Sequence, residues 1–105
     1  MTTDSEIECF LSDLKMKVSI FGLIVRDDRS KNSQTLLNLE LSFAERTKII
    51  EELTPVDYHQ GPESDTLNKL GDLWIFKKKV KGKEVYIKLM LGLMNRPAFC
   101  ISFHT

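Results

Sequence analysis

Cysteine is scarce in this sequence: Cys9 and Cys100 are the only two, and neither stands in a CxxC or Cys/His arrangement. The chain therefore offers no disulfide framework and no zinc-binding spacing, and two reduced, partly buried thiols are predicted. No apolar run approaches the ~18 residues of a membrane span. The opening stretch MTTDSEIECF has neither the basic nor the apolar region of a secretory signal. We expect a cytosolic protein that needs no metal, no cofactor and no membrane.

Net charge is absent as well, because 15 Lys and Arg residues balance 15 Asp and Glu residues. A domain that binds long nucleic acid through bulk electrostatics is usually clearly basic, so the neutral total argues against that mode. The charge is nevertheless uneven: residues 1–53 hold seven basic and ten acidic residues, whereas residues 54–105 hold eight and five. The C-terminal half is therefore where we expect a local anion-binding site.

Asp4 or Ser5 is predicted to cap the first helix, and Ser5 and Glu8 fit an S-x-x-E capping box. Apolar residues then recur at helical spacing and form one stripe toward the core. The members of this stripe are Ile7, Phe10, Leu11, Leu14 and Val18. The pattern changes to SIFGLIV over Ser19–Val25, which predicts a strand there.

Two further helices are predicted before the middle of the chain. Leucines within Ser33–Leu39 indicate a short one, and a second capping box, Ser42 with Glu45, opens the next. The apolar positions of this third helix are Phe43, Ile49, Ile50 and Leu53. Pro55 ends it, because proline disfavours helical geometry at the preceding residue and cannot donate a helical hydrogen bond.

The C-terminal half contains the remaining strands. Leu73–Lys88 has the pattern of a hairpin, and Ala98–His104 alternates as a final strand. Phe99, Ile101 and Phe103 are expected on one face of that strand, and Cys100, Ser102 and His104 on the other. The polar stretch Asp57–Leu70 reads mainly as loop. Helices followed by a meander predict a single α+β domain over residues 1–105, with the helices on one face of a mainly antiparallel sheet.

Five lysines crowd the predicted hairpin turn, which is centred on Gly82: Lys77, Lys78, Lys79, Lys81 and Lys83. They have two interpretations. Lysine protects exposed sheet edges from pairing with another chain, and clustered lysines also bind the phosphates of RNA. Trp74 and Phe76 on the preceding strand are expected in the core rather than stacked on bases.

Several short motifs follow one another in a recognisable order. Trp74 lies in the first hairpin strand, VYIK follows at residues 85–88 and ISFH closes the sheet at residues 101–104. Asp57-Tyr58 precedes a predicted polar loop. The predicted leucine-bearing helix at residues 33–39 lies before Asp57-Tyr58 in the chain. This order resembles the motility quorum-sensing regulator (MqsR) toxin family, whose members are mRNA interferases of type II toxin-antitoxin systems with a RelE-like fold. The resemblance extends over most of the chain.

The resemblance implies a metal-independent endoribonuclease that cleaves single-stranded mRNA and is inhibited by a cognate antitoxin protein. Tyr86 matches a functional tyrosine of the family directly. The lysine after the family's DY pair falls at His59 or Gln60 here, its glutamine after the tryptophan falls at Ile75, and the lysine that ends its SFK motif is His104. The catalytic candidates are therefore Tyr86, His104 and Lys88, with His59 and Gln60 at the rim. The five hairpin lysines are the RNA-binding candidates.

The residue types suit this chemistry. RNA cleavage by the 2′-hydroxyl needs a proton acceptor, an acid for the leaving 5′-oxygen and a cation for the charge on phosphorus, roles that histidine, tyrosine and lysine fill. If the last strand pairs beside Val85–Leu91, Tyr86 and Lys88 project from the same face as Ser102 and His104. Ordinary roles remain open: Tyr86 as a packing residue, and His104 as a frayed chain end.

Two other classes of function are compatible with the sequence. A non-catalytic RNA- or protein-binding module on the same fold is favoured by isoleucine at position 75 and by the neutral total charge. An interaction module with no nucleic-acid role would use the lysines only as a solvated edge. Loss of RNA turnover with retained, salt-sensitive RNA binding separates the first of these from an enzyme.

Overall fold

The computed structural model describes residues 1–64 and 71–105. Its helices are α1 (Asp4–Phe21), α2 (Ser30–Asn38) and α3 (Phe43–Glu51), and its strands are β1 (Leu23–Val25), β2 (Tyr58–Ser64), β3 (Asp72–Val80), β4 (Lys83–Met90) and β5 (Ala98–His104). The strands form one sheet in the order β1-β5-β4-β3-β2, in which only the β1–β5 pair is parallel. The predicted α+β class is confirmed, whereas the likeness to a RelE-like fold stays a prediction.

Helix α1 begins earlier than predicted. Thr3, not Asp4 or Ser5, is the capping residue: its hydroxyl accepts a hydrogen bond from the Glu6 N–H at 3.2 Å, and the Glu6 carboxylate accepts one from the Thr3 N–H at 3.3 Å. The sequence contains T-x-x-E and S-x-x-E in nearly overlapping positions, and the pattern alone does not choose between them. The apolar stripe was predicted correctly, since Ile7, Phe10, Leu11 and Leu14 are buried.

The predicted strand over Ser19–Val25 is wrong in its first half. Helix α1 continues to Phe21, and Gly22, at φ +89°, ends it with an N–H that donates to the Val18 carbonyl at 2.9 Å. Ile20 remains 64% exposed, so no sheet contact draws this turn away from the helix that precedes it. Extending a formed helix by one residue adds a hydrogen bond at little cost, and glycine adopts the left-handed backbone that terminates it.

Helices α2 and α3 follow the sequence signals more closely. Helix α2 starts at Ser30, three residues before the predicted start. The capping box of α3 is confirmed, with the Glu45 N–H 3.0 Å from the Ser42 hydroxyl and the Ser42 N–H 2.9 Å from the Glu45 carboxylate. Phe43, however, is exposed and lies 5.2 Å from the Arg46 guanidinium instead of in the core.

The hairpin between β3 and β4 is confirmed, but its turn is shorter than predicted. Val80 pairs with Lys83, so Lys81 and Gly82 alone form the loop, with φ of +51° and +81°. Positive φ at both loop residues gives the backbone twist that matches the flanking strands. Lys77, Lys78 and Lys79 therefore belong to β3, and the prediction of a lysine-rich turn is wrong.

The segment predicted as loop over Asp57–Leu70 contains strand β2, and its residues 65–70 lie outside the described part. β2 pairs antiparallel with β3 at the sheet edge through two register shifts. The polar side chains and Pro62 of β2 gave this segment the composition of a loop. An edge strand nevertheless tolerates proline, because one side of its backbone needs no sheet partner. Gly61 approaches β3 so closely that a Cβ there would lie 2.8 Å from the Leu73 carbonyl oxygen.

The core lies between the helices and one face of the sheet. Phe10 of α1 stacks on Trp74 with ring centroids 4.6 Å apart and on Phe76 at 6.0 Å, so both aromatic residues of β3 pack in the core as predicted. Ile50 and Phe103 are fully buried in the same cluster. The opposite face of β3 and β4 carries Lys77, Tyr86 and Lys88 together with the buried Ile75. No described helix has the length and apolarity needed to cross a membrane.

A bulge in β5 changes which face each residue occupies. Leu89 of β4 pairs with Cys100 and Lys88 pairs with Ser102, which leaves Ile101 as an extra residue. Cys100 and Phe103 consequently both point into the core, and both are fully buried. The expectation that Phe103 and Cys100 lie on opposite faces is wrong, because an extra residue inverts the alternation beyond it.

The two thiols differ strongly in exposure: Cys100 is buried, whereas Cys9 is exposed rather than partly buried as predicted. Burial raises the pKa of the Cys100 thiol to about 12. Since the thiolate is the reactive form, one thiol of the native protein should react with Ellman's reagent at pH 8 and two in denaturant. Cys9→Ser should abolish the native reaction. Two thiols reacting at similar rates in the native protein would contradict the buried position of Cys100.

Candidate functional site

Tyr86 and His104 face each other on neighbouring strands. Their Cα atoms are register partners in the antiparallel β4–β5 pair, and their rings stack with centroids 5.4 Å apart and planes 24° from parallel. The predicted juxtaposition across the sheet is confirmed, although the catalytic roles of the two residues stay predictions. Both side chains are half-buried, so a ligand can reach them while part of each ring is packed.

Lys88 completes this group on the same face. It lies opposite Ser102, two residues before His104, and its Nζ atom is 5.9 Å from the centroid of the Tyr86 ring. The register thus brings together the four residues that the sequence placed on one face. A cation, a phenol and an imidazole within one cluster are suited to phosphate chemistry.

The environment of Tyr86 sets its protonation. Burial raises the pKa of the Tyr86 phenol above its ordinary value, and the negative charge of Glu63 on β2 raises it further. The carboxylate of Glu63 accepts a hydrogen bond from the Gln60 amide. With its pKa raised, Tyr86 is a neutral phenol at neutral pH, so it is available as a proton donor and not as a base.

The two rim candidates occupy different positions on β2. Gln60 is a register partner of Ile75, which in turn pairs with Lys88, so Gln60 lies on the face of the cluster. Ile75 itself is only 2% exposed and forms an apolar floor between them. His59 is the extra residue of a bulge and is exposed. Within the described residues, no hydrogen bond or ring contact joins His59 to Tyr86 or His104.

The five candidate lysines do not form one cluster. Lys77 pairs in register with Tyr86, and Lys79 follows on the same face; the Lys77 Nζ atom is 3.8 Å from the Glu84 carboxylate. Lys78 alternates to the helix side and lies 3.6 Å from Asp57. Lys81 donates to the Glu40 carbonyl at 3.2 Å, and Lys83 begins β4 beyond the turn. Only Lys77 and Lys79 can extend the surface of Tyr86.

Sequence reasoning missed Arg29, which the structure places beside this cluster. Its Nη1 atom lies 3.3 Å from the Ile101 carbonyl oxygen and 3.5 Å from the Ser102 hydroxyl. A depression of about 350 Å³ adjoins it, lined by Arg29, Ser30, Lys31, Asn32 and His104. The signal for this placement is the parallel pairing of β1 with β5, which carries the segment after β1 toward Ser102. A three-residue strand does not reveal that pairing in the sequence.

Asn32 holds helix α2 against β5. Its side-chain amide donates to the carbonyl oxygens of Arg26 at 2.9 Å and Ile101 at 3.0 Å, and its Oδ1 atom accepts from the Phe103 N–H at 3.0 Å. The side chain is 1% exposed. Asn32 thus takes the place of a neighbouring strand along the edge of β5 where β1 has ended, and it positions the segment that carries His104.

A larger and mainly apolar cleft of about 460 Å³ lies elsewhere, between α2 and the start of α3. Its lining consists of Asp27, Ser33, Leu36, Leu37, Leu41, Ser42 and Phe43. None of the predicted site residues belongs to it. Across residues 1–64 and 71–105, no group of three or more His, Cys, Asp or Glu side chains is arranged to hold a metal ion.

Comparison of the chain with protein-family models, with curated proteins and with solved structures gave no match in any of the three. The assignment of a function therefore depends on the site itself: the stacked Tyr86 and His104, the neighbouring Lys88, and the basic residues at the start of α2.

Proposed function

We propose that this protein is a metal-independent endoribonuclease that cleaves single-stranded RNA. In biological terms it would be a cytoplasmic mRNA interferase, the toxin of a type II toxin-antitoxin system, held inactive by a cognate antitoxin protein. The observation that carries the proposal is the direct stacking of Tyr86 on His104, with Lys88 on the same face. A base, an acid and a cation are thereby placed within reach of one phosphodiester.

The arrangement supports cleavage by the RNA's own 2′-hydroxyl. His104 takes the 2′-hydroxyl proton as the oxygen bonds to the adjacent phosphorus, and the bond from phosphorus to the 5′-oxygen breaks. The phenol of Tyr86, kept protonated by its raised pKa, donates its proton to the leaving 5′-oxygen. Lys88 stabilises the negative charge on the phosphoryl oxygens. The products are a 2′,3′-cyclic phosphate and a free 5′-hydroxyl.

The surrounding residues would contact the rest of the strand. Gln60, on the same face as Lys88, can donate to a base or a phosphate, and Lys77 and Lys79 extend the positive surface along β3. His59 lies at the exposed rim on β2. An RNA lying across β3, β4 and β5 would reach these residues and the Tyr86–His104 pair together.

The test is cleavage of single-stranded RNA in the presence of EDTA. We expect shortened products that carry 2′,3′-cyclic phosphate and 5′-hydroxyl ends, because the proposed reaction uses no metal-bound water. Mass spectrometry of the fragments identifies these ends, and a fully base-paired RNA of the same sequence serves as the control substrate. Intact RNA, or 3′-hydroxyl and 5′-phosphate ends, would refute the proposed reaction.

One observation favours a second function, a non-catalytic RNA- or protein-binding module on the same fold. Ile75 fills the floor of the site where the resemblance places a glutamine, and it is 2% exposed. An apolar side chain cannot donate a hydrogen bond to a phosphate. Salt-sensitive RNA binding without RNA turnover, together with normal growth on expression, would select this function. Growth arrest that the product of an adjacent gene relieves would select the toxin.

A further inference from the structure

Arg29 carries a positive charge that no described carboxylate pairs with. The two acidic residues of the same turn are occupied by other arginines: Asp28 accepts two hydrogen bonds from Arg26, both at 3.0 Å, and Asp27 accepts two from Arg46 at 2.7 and 3.0 Å. Among the described residues, Arg29 donates only through Nη1. Its Nε and Nη2 groups remain free to bind an oxyanion.

The surroundings of Arg29 add further positive charge on one side of the stacked pair. Lys31 and His104 line the same depression as Arg29, and neither Lys31 nor Lys88 forms an ion pair within residues 1–64 and 71–105. Glu63 lies on the opposite side, where its charge acts on Tyr86. The face is thus basic toward α2, so a polyanion is attracted to the α2 side.

We propose that Arg29 and Lys31 bind the RNA phosphate next to the one that is cleaved. This inference rests on the proposed function, because it adds a phosphate subsite to the same active face. Arginine suits the role, since its planar guanidinium can present two parallel donors to one phosphate. The contact of Nη1 with the Ile101 carbonyl and the Ser102 hydroxyl fixes the guanidinium beside β5. A bound strand would then run from β4 across β5 toward α2.

The test measures RNA binding as a function of salt. The probe is a fluorescent, fully 2′-O-methylated single-stranded oligoribonucleotide, which lacks the attacking hydroxyl, and its dissociation constant is measured by anisotropy at several KCl concentrations. Each phosphate contact contributes about −0.7 to the slope of log affinity against log salt for single strands. Because both side chains bind one phosphate, we expect Arg29→Ala combined with Lys31→Ala to flatten the slope by about 0.7, and Arg29→Ala alone to cause most of that change.

Two variants separate a phosphate contact from a structural role. Arg96→Ala removes an exposed arginine from the connection before β5 and is expected to leave the slope unchanged. Arg29→Lys keeps the charge and is expected to restore most of the slope, with weaker affinity because lysine cannot form the bidentate contact. A defect in folding would instead lower the fraction of protein that binds, without changing the slope.

The outcomes distinguish this inference from the proposed function. Wild-type cleavage of RNA with equal salt slopes for Arg29→Ala and Arg96→Ala would overturn the subsite and leave the endoribonuclease intact. Absence of both RNA binding and RNA cleavage would overturn the endoribonuclease and the subsite with it. A slope that flattens for Arg29→Ala alone among the single alanine variants, in a protein that also cleaves RNA, supports both.

Discussion

His104→Ala should lower the rate constant for RNA cleavage at least ~100-fold, the scale of a lost general acid or base. The imidazole is the proposed acceptor of the 2′-hydroxyl proton, and its ring is held against Tyr86 at a centroid distance of 5.4 Å. Tyr86→Phe should cause a loss of similar size, because it keeps the stacked ring and removes only the proton that the leaving 5′-oxygen needs. Single-turnover cleavage of a defined oligoribonucleotide measures both effects.

The chain provides matched controls for both substitutions. Tyr58 is the other tyrosine, and its hydroxyl donates to the Gly61 carbonyl near the sheet edge, so Tyr58→Phe should change the cleavage rate less than about tenfold. His59 is the other histidine, and its exposed rim position predicts a smaller loss for His59→Ala than for His104→Ala. If Tyr86→Phe and His104→Ala both cleave within tenfold of the wild-type rate, the catalytic groups lie elsewhere.

The largest expected effect on stability comes from Asn32→Ala. The substitution removes three hydrogen bonds and leaves the Phe103 N–H without a described partner, whereas the Arg26 carbonyl keeps the Arg29 N–H at 3.1 Å and the Ile101 carbonyl keeps the Arg29 Nη1 atom at 3.3 Å. The unsatisfied Phe103 N–H costs about 1–3 kcal/mol and each of the other two lost hydrogen bonds contributes up to about 1 kcal/mol, so we expect a loss of about 3 kcal/mol in the free energy of unfolding. Urea denaturation followed by circular dichroism measures it.

Asn38→Ala is the matched control, because Asn38 lies on the same helix, is exposed and, among the described residues, has one side-chain hydrogen bond, which it accepts from Gln34 at 3.0 Å. It should change the free energy of unfolding by less than about 0.5 kcal/mol. Asn32→Asp is informative as well, since a carboxylate can still accept from the Phe103 N–H but cannot donate to the two carbonyls. Equal stabilities of Asn32→Ala and Asn38→Ala would show that the amide does not hold α2 to β5.

The fold was predictable wherever one local signal determined the structure. The capping box at Ser42, the apolar stripe from Ile7 to Leu14 and the alternation in β4 each specify an element through neighbouring residues. Strand β2 was not predictable, because an edge strand of polar residues has the composition of a loop. Helix α1 extends to Phe21 because residues such as Ile20 make no contact with the sheet, and the local sequence does not show whether such a contact forms.

The candidate site was predictable in part for the same reason. Tyr86, Lys88 and His104 alternate on two recognisable strands, so their common face followed from the strand period and one assumed pairing. Arg29 and Glu63 reach the site through tertiary arrangement: Arg29 through the parallel β1–β5 pair, and Glu63 through β2. Their neighbours in the sequence carry no sign of either contact.

The bulge at Ile101 changes which side chains of β5 face the core. Before it, Cys100 points into the core, and after it Phe103 does so, although three positions separate them. If Ile101 were instead paired in a regular strand, strict alternation from Cys100 onward would place Phe103 in solvent and His104 among the core side chains. One unpaired residue thus decides whether the last strand presents an imidazole or a phenyl ring to a ligand, and the reactive face depends on the position of the bulge as much as on the residues of the strand.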